Sequence, residues 1–145
     1  MDDLKKQAYI FASIFNLANK LQILGDEFDA NVTTKQWLFI LAVSTFEEPP
    51  TITEAANYIG YSRQNAKRIA ADLQKNGYVV LAKDKNDARA QRIKLTPKCV
   101  AYFKSRDGRE IEFLEKLFSG FDAKLTDGFY KGITKLGKNI QEIMD

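Results

Sequence analysis

The chain of 145 residues is 45% hydrophobic and 28% charged, a length and balance that suit one folded domain with helical appendages and exclude disordered, collagenous and low-complexity classes. One cysteine, Cys99, and no histidine rule out an internal disulfide, the common zinc ligand sets and every Ser-His or Cys-His nucleophile pair. The net charge of +3 is unevenly placed: residues 60–98 hold ten Lys/Arg against three Asp/Glu, residues 1–59 hold four against eight, and residues 99–145 hold eight of each.

From Leu4 onward, Leu4, Ala8, Phe11, Phe15, Ala18, Leu21, Leu24 and Phe28 recur at steps of three or four, which predicts a long amphipathic helix loosened near Gly25. Thr33 with Gln36 three residues on reads as a capping box. The apolar run Trp37 to Val43 then predicts a helix buried on most sides and ended by Pro49-Pro50. That run is far shorter than the roughly 20 residues of a membrane span, and Met1-Asp2-Asp3 stands where a basic n-region with an apolar stretch would be expected of a secretion signal, so none is expected. The expectation is a cytoplasmic protein with no membrane contact.

Thr53 is expected to cap a short helix from Glu54 to Ile59, broken by Gly60-Tyr61-Ser62. Ser62 is the expected cap of the next helix, 62–75, in which Ala66, Ile69, Ala70 and Leu73 form an inward face. Its opposite face centres on Gln64, Arg68, Ala71 and Lys75, with Lys67 beside it. Asn76-Gly77 stops this helix. Tyr78 to Leu81 and Gln91 to Leu95 read as two strands of a hairpin around a polar tip, Asp84 to Ala88. Thr96-Pro97 opens a helix carrying Phe103, Ile111, Leu114, Leu117 and Phe118, with Gly108 as a candidate break. Asp122 is expected to cap a last helix whose seam is Leu125, Phe129, Ile133, Leu136, Ile140 and Ile143.

The resulting class is mainly α: about six helices with a two- or three-stranded β-wing, in the order of a winged helix-turn-helix. Residues 31–96 form the winged unit and residues 1–30 and 97–145 a helical region. A helix fits the DNA major groove when its outer face carries polar and cationic groups and its inner face is apolar enough to stay docked, and residues 62–75 meet both conditions. Gln64 and Asn65 suit adenine edges, Arg68 suits guanine, and small Ala71 permits close approach. Ser62, Arg63, Lys67 and Lys75 suit phosphates, which position a protein without reading sequence.

The most specific signal is the hairpin. Asp87-Ala88-Arg89-Ala90-Gln91-Arg92-Ile93-Lys94-Leu95-Thr96 resembles the wing signature of the MarR family of winged-helix regulators, an Asp-x-Arg tip leading into a strand that ends Leu-Thr. The resemblance takes in Thr53-Glu54-Ala55-Ala56, Ile59-Gly60-Tyr61-Ser62 and Leu73-Gln74-Lys75-Asn76-Gly77-Tyr78-Val79. By order of elements it spans essentially the whole chain.

The resemblance implies that Arg89 reaches the minor groove or its phosphates and that Asp87 braces it. Lys85 and Arg92, the neighbouring cations of the basic hairpin, are added to the DNA-contact set of a wing at 83–92. The resemblance also implies a homodimer built from the first and last helices, through Leu4, Phe11, Leu125, Phe129, Ile133, Leu136, Ile140 and Ile143. It further implies release by a small aromatic effector, and the two-fold symmetry of such a dimer implies a palindromic double-stranded operator with half-sites about 34 to 36 Å apart. Repression is the expected mode, because occluding a promoter needs only binding. Trp37, Phe39, Tyr9 and Phe11 are the aromatics available to line an effector cleft. The redox-sensing branch of the family uses a cysteine in the first helix, where this chain has none; Cys99 instead opens the helix after the wing, where a helix dipole lowers a thiol pKa. No cofactor, metal site or enzymatic activity is expected. The alternative is a winged helix that binds protein instead, as an interaction module or as a heterodimer partner that disables a true repressor.

Overall fold

The computed structural model describes residues 2–145. In chain order the elements are α1 (Asp3–Phe28), α2 (Thr34–Ser44), α3 (Ile52–Ile59), α4 (Arg63–Lys75), β1 (Val79–Lys83), β2 (Gln91–Leu95), α5 (Pro97–Leu117) and α6 (Ala123–Met144). Six helices and a two-stranded antiparallel sheet are the winged helix-turn-helix expected. Two compact units, Met1–Tyr102 and Phe103–Asp145, divide within α5.

In the first unit the core is Phe39, Leu73, Ile93, Val32, Val79 and Cys99, all nearly or fully excluded from water. Ala55 and Ala56 of α3 and Ala66 and Ala70 of α4 are buried with them, and such small side chains let the two helices pack closely. The sheet register pairs Val79 with Leu95, Leu81 with Ile93 and Lys83 with Gln91. A single bridge, Thr51 to Arg92, and a hydrogen bond from Ile93 N to Pro50 O (2.9 Å) tie β2 to the segment before α3. The wing is therefore two-stranded, with one bridging residue where a third strand was conceivable.

Several local expectations need correction. Gly25 does not loosen α1; the helix continues to Phe28 and the glycine marks its contact with α2, because a Cβ there would lie 2.1 Å from Thr34 Oγ1. The Thr33 capping box forms with Gln36. However, α2 ends at Ser44, well before Pro49-Pro50, with the Ser44 and Thr45 hydroxyls donating to the Leu41 and Ala42 carbonyls (2.6 and 2.7 Å). Only one side of α2 is buried, through Phe39, Ile40, Ala42 and Val43, while Leu38 and Leu41 are exposed. The cap of α3 is Thr51, not Thr53: Thr51 and Glu54 form a reciprocal box that starts the helix early enough to bury Ile52. Gly108 leaves α5 unbroken.

In the second unit, Gly120 takes the left-handed conformation (φ 83°) and Asp122 caps α6 by accepting from Leu125 N (2.8 Å). The Phe118 and Phe121 rings meet edge to face at 5.2 Å between centroids, and Phe121 meets Phe129 at a tilt at 6.3 Å. Neither α1 nor α6 buries a single residue. All eight residues expected at a dimer interface, Leu4, Phe11, Leu125, Phe129, Ile133, Leu136, Ile140 and Ile143, are 36–84% exposed.

Candidate nucleic-acid interface

The turn between α3 and α4 is made by three residues. Gly60 caps α3 in the left-handed region (φ 89°), where a β-carbon is strained, and both Gly60 N and Tyr61 N donate to Ala56 O (2.8 and 3.0 Å). Ser62 Oγ then accepts from Asn65 N (3.1 Å) and starts α4. Ala66, Ile69, Ala70 and Leu73 are buried, as the period predicts. Ser62, Arg63, Gln64, Lys67, Arg68, Ala71 and Lys75 are exposed, and Asn65 is half-buried. Among the described residues Arg63, Lys67, Arg68 and Lys75 form no ion pair. One hydrogen bond links two candidate base readers: Arg68 Nη2 donates to Asn65 Oδ1 at 3.0 Å.

The wing tip is organised by two aspartates. Asp84 accepts from Asn86 N (3.2 Å), Asp87 N (3.1 Å) and Arg92 Nε (2.5 Å), while Asp84 N and Ala90 O close the hairpin at 3.0 Å. Asp87 Oδ1 accepts from Arg89 N (3.0 Å) and lies 3.6 Å from Arg89 Nε. That leaves the Arg89 side chain 94% exposed, oriented from below by a carboxylate. Lys85 is exposed beside it.

Arg92, expected in the DNA-contact set of the wing, is half-buried and engaged within the chain. Besides Asp84, its Nη1 donates to Pro49 O (2.7 Å) and lies 3.8 Å from Glu54 Oε1, so the guanidinium ties the wing to the start of α3. Asp84 lies eight residues back in the same hairpin, whereas Pro49, 43 residues away, and Glu54 come from the segment that starts α3. Asp84, the other half of this tie, escaped the sequence reading; the signal was an Asx turn, an aspartate whose side chain caps backbone N–H groups two and three residues on.

The Arg92 hydrogen bond holds the Asp84 carboxyl below the usual carboxylate range and raises the guanidinium in turn. A carboxyl lowered by folding contributes stability that is present above its unfolded pKa of about 3.9 and is lost as pH falls through the lower folded value. The stability difference between wild type and Asp84→Asn should therefore be present at neutral pH and shrink progressively below about pH 4. Urea unfolding across an acid pH series measures it; a difference independent of pH down to full protonation would refute the tie.

The aromatics suggested for an effector cleft separate. Phe39 is fully buried and belongs to the core, so it is not available to a ligand; Trp37 is half-buried, and Tyr9 and Phe11 are exposed. Cys99 is also a core residue, and burial pushes its thiol pKa up, opposite to the lowering considered from its place near a helix start. Among the described residues no group of three His, Cys, Asp or Glu side chains is placed to hold a metal ion, and no helix is long and apolar enough to cross a membrane.

Residues 30–90, the span containing α2, α3, α4 and β1, match a family model described as MarR family. No curated protein matches the chain. Among solved structures, a MarR transcriptional regulator from Methanosarcina mazei Go1 is 22% identical with a TM-score of 0.80, over 94% of this chain and 99% of that one. A MarR/EmrR family regulator from Acinetobacter sp. ADP1 is 19% identical with a TM-score of 0.79, over 94% and 97%. The organohalide-sensing RdhR transcriptional regulator, in its 2,4-dichlorophenol bound form, is 15% identical with a TM-score of 0.76, over 96% and 85%. At these identities the likeness is one of fold, and it covers nearly the whole chain.

Proposed function

We propose, from the membership of residues 30–90 in the MarR family, that this chain is a transcriptional regulator that binds a specific double-stranded DNA site as a homodimer. The observation that carries the reading is the outer face of α4, where Arg63, Lys67 and Arg68 stand exposed without carboxylate partners among the described residues while Ala66, Ile69, Ala70 and Leu73 anchor the inner face. Cations left unneutralised on a firmly docked helix release counterions when they meet phosphates. Gln64 and Arg68 then face base edges in the major groove, Ser62, Arg63, Lys67 and Lys75 the phosphates, and Arg89 and Lys85 the minor groove, with Asp87 orienting Arg89. Arg92 serves this surface from behind, as the tie that fixes the wing.

The apolar seams of α1 and α6 supply the dimer. Leu125, Phe129, Ile133, Leu136, Ile140 and Ile143 are all at least one-third exposed in the single chain, and contiguous apolar surface of that kind marks an interface. A two-fold axis matches two α4 helices to an inverted repeat. Repression needs only occupancy of a promoter, and it is the mode we assign. A small aromatic effector that releases DNA is supported by the structural likeness to a regulator bound to 2,4-dichlorophenol.

Selection of random duplexes by the purified chain at about 150 mM salt, followed by anisotropy over a salt series, tests the reading. The expected result is an inverted repeat bound with a steep salt slope. On that site Arg68→Ala should lose about 1–3 kcal/mol of discrimination at one base position. Arg89→Ala should lower affinity evenly across sequences and reduce the salt slope by about one. Wild-type affinity in both variants would remove DNA from this face and leave the wing and helical arms to a protein partner.

A further inference from the structure

In the α4 face, Asn65 and Arg68 are held together, and their contact changes what each can read. Asp72 lies four residues after Arg68, at the spacing of a helical ion pair, yet the guanidinium forms no ion pair with it and turns toward the N-terminal end of the helix. What holds it is the Arg68 Nη2 to Asn65 Oδ1 hydrogen bond of 3.0 Å. Asn65 is half-buried and its backbone N–H is taken by the Ser62 cap, so its backbone is anchored in the first turn and its side chain has less room than an exposed one.

Reading adenine with both ends of its amide requires Asn65 to accept a base amino proton on Oδ1 while donating from Nδ2. Here Oδ1 faces Arg68. Reading guanine with Arg68 requires two parallel N–H groups, and the guanidinium keeps enough of them free while Asn65 restricts its rotation. Restricting a long side chain in advance lowers the ordering cost of the contact it makes.

Resting on the DNA-binding reading above, we propose that Asn65 and Arg68 act as one recognition unit, in which Asn65 is a positioning residue that presents Arg68 to a guanine and does not itself read adenine. Asn65 thereby sets specificity at the base position Arg68 contacts.

The test is duplex selection and affinity measurement with the full chain as wild type, Asn65→Ala, Asn65→Asp, Arg68→Ala and the Asn65→Ala/Arg68→Ala double variant, with thermal unfolding as a control for folding. The expected result is that Asn65→Ala weakens guanine preference about tenfold at the position weakened by Arg68→Ala. The double variant should be no less selective than Arg68→Ala alone, since coupled residues are not additive. Asn65→Asp, which keeps the acceptor, should retain the guanine preference at lower affinity because a carboxylate near phosphates is repelled. Loss of adenine preference at a second position in Asn65→Ala, additive with Arg68→Ala, would overturn the proposal while leaving DNA binding standing. Failure of the wild type to enrich any duplex would instead sink both readings together.

Discussion

Replacing Gly25 with alanine should destabilise the protein by about 2 kcal/mol, although alanine is the better helix former by about 1 kcal/mol. The intrinsic gain is outweighed by a collision. A Cβ at position 25 would stand 2.1 Å from Thr34 Oγ1 and 3.2 Å from Thr34 Cβ, so rotating the threonine relieves only part of the crowding. Rotation has its own cost, because Thr34 Oγ1 donates to Gln22 O (3.1 Å) and Thr34 N to Asp26 Oδ1 (2.8 Å), the contacts that dock the start of α2 against the end of α1. Urea unfolding gives the measurement. Thr34→Ala should recover part of the loss in the Gly25→Ala background and be destabilising by itself, a sign reversal expected only of residues in contact. A Gly25→Ala variant as stable as wild type would mean that α1 and α2 do not approach this closely.

That glycine illustrates what periodicity can and cannot carry. The inward face of α4 was legible because burial on a helix follows a period set by the backbone itself, and Ala66, Ile69, Ala70 and Leu73 obey it. The caps at Thr33, Ser62 and Asp122 were legible for a similar reason, since a side chain and an N–H two or three residues on satisfy each other locally. Thr51 was within the same reach: Thr51 and Glu54 have the spacing of a capping box, but the nearby Thr53 competed for the role. Gly25, by contrast, looks identical in sequence whether it breaks a helix or admits a neighbour, and only the position of Thr34 decides. The tie made by Arg92 was illegible for the same reason, because its partner carbonyl on Pro49 is 43 residues away. In the candidate site the face was thus readable, whereas the contacts that orient its side chains, Asn65 to Arg68 and Asp84 to Arg92, belong to geometry.

Asp29→Ala should cost about 3 kcal/mol, more than any other single polar deletion argued for this chain. Asp29 is only 6% exposed and follows directly on α1. Its Oδ1 accepts from Asn31 N (2.8 Å) and Val32 N (3.3 Å), which turns the chain from α1 toward α2. The Tyr102 hydroxyl lies within 2.5 and 2.6 Å of the two carboxylate oxygens, joining this turn to α5 from 73 residues away. Alanine removes the acceptor while the donors stay in place, and an orphaned buried donor costs more than a lost pair. Tyr102→Phe removes one donor and leaves the carboxylate its backbone partners, so its cost should be nearer 1 kcal/mol, with Asp29→Asn between the two.

Alkaline unfolding supplies an independent check. Burial, and then the hydrogen bond to Asp29, raise the Tyr102 pKa above its usual value. A group whose folded pKa is raised contributes stability that is complete below the unfolded value, about 10, and is lost as pH rises through the folded one. Wild type should therefore lose stability above about pH 10 more steeply than Tyr102→Phe. Equal alkaline slopes in the two proteins would mean that the Tyr102 hydroxyl is not held this way, and an Asp29→Ala variant within about 1 kcal/mol of wild type would show that the turn after α1 holds without this carboxylate.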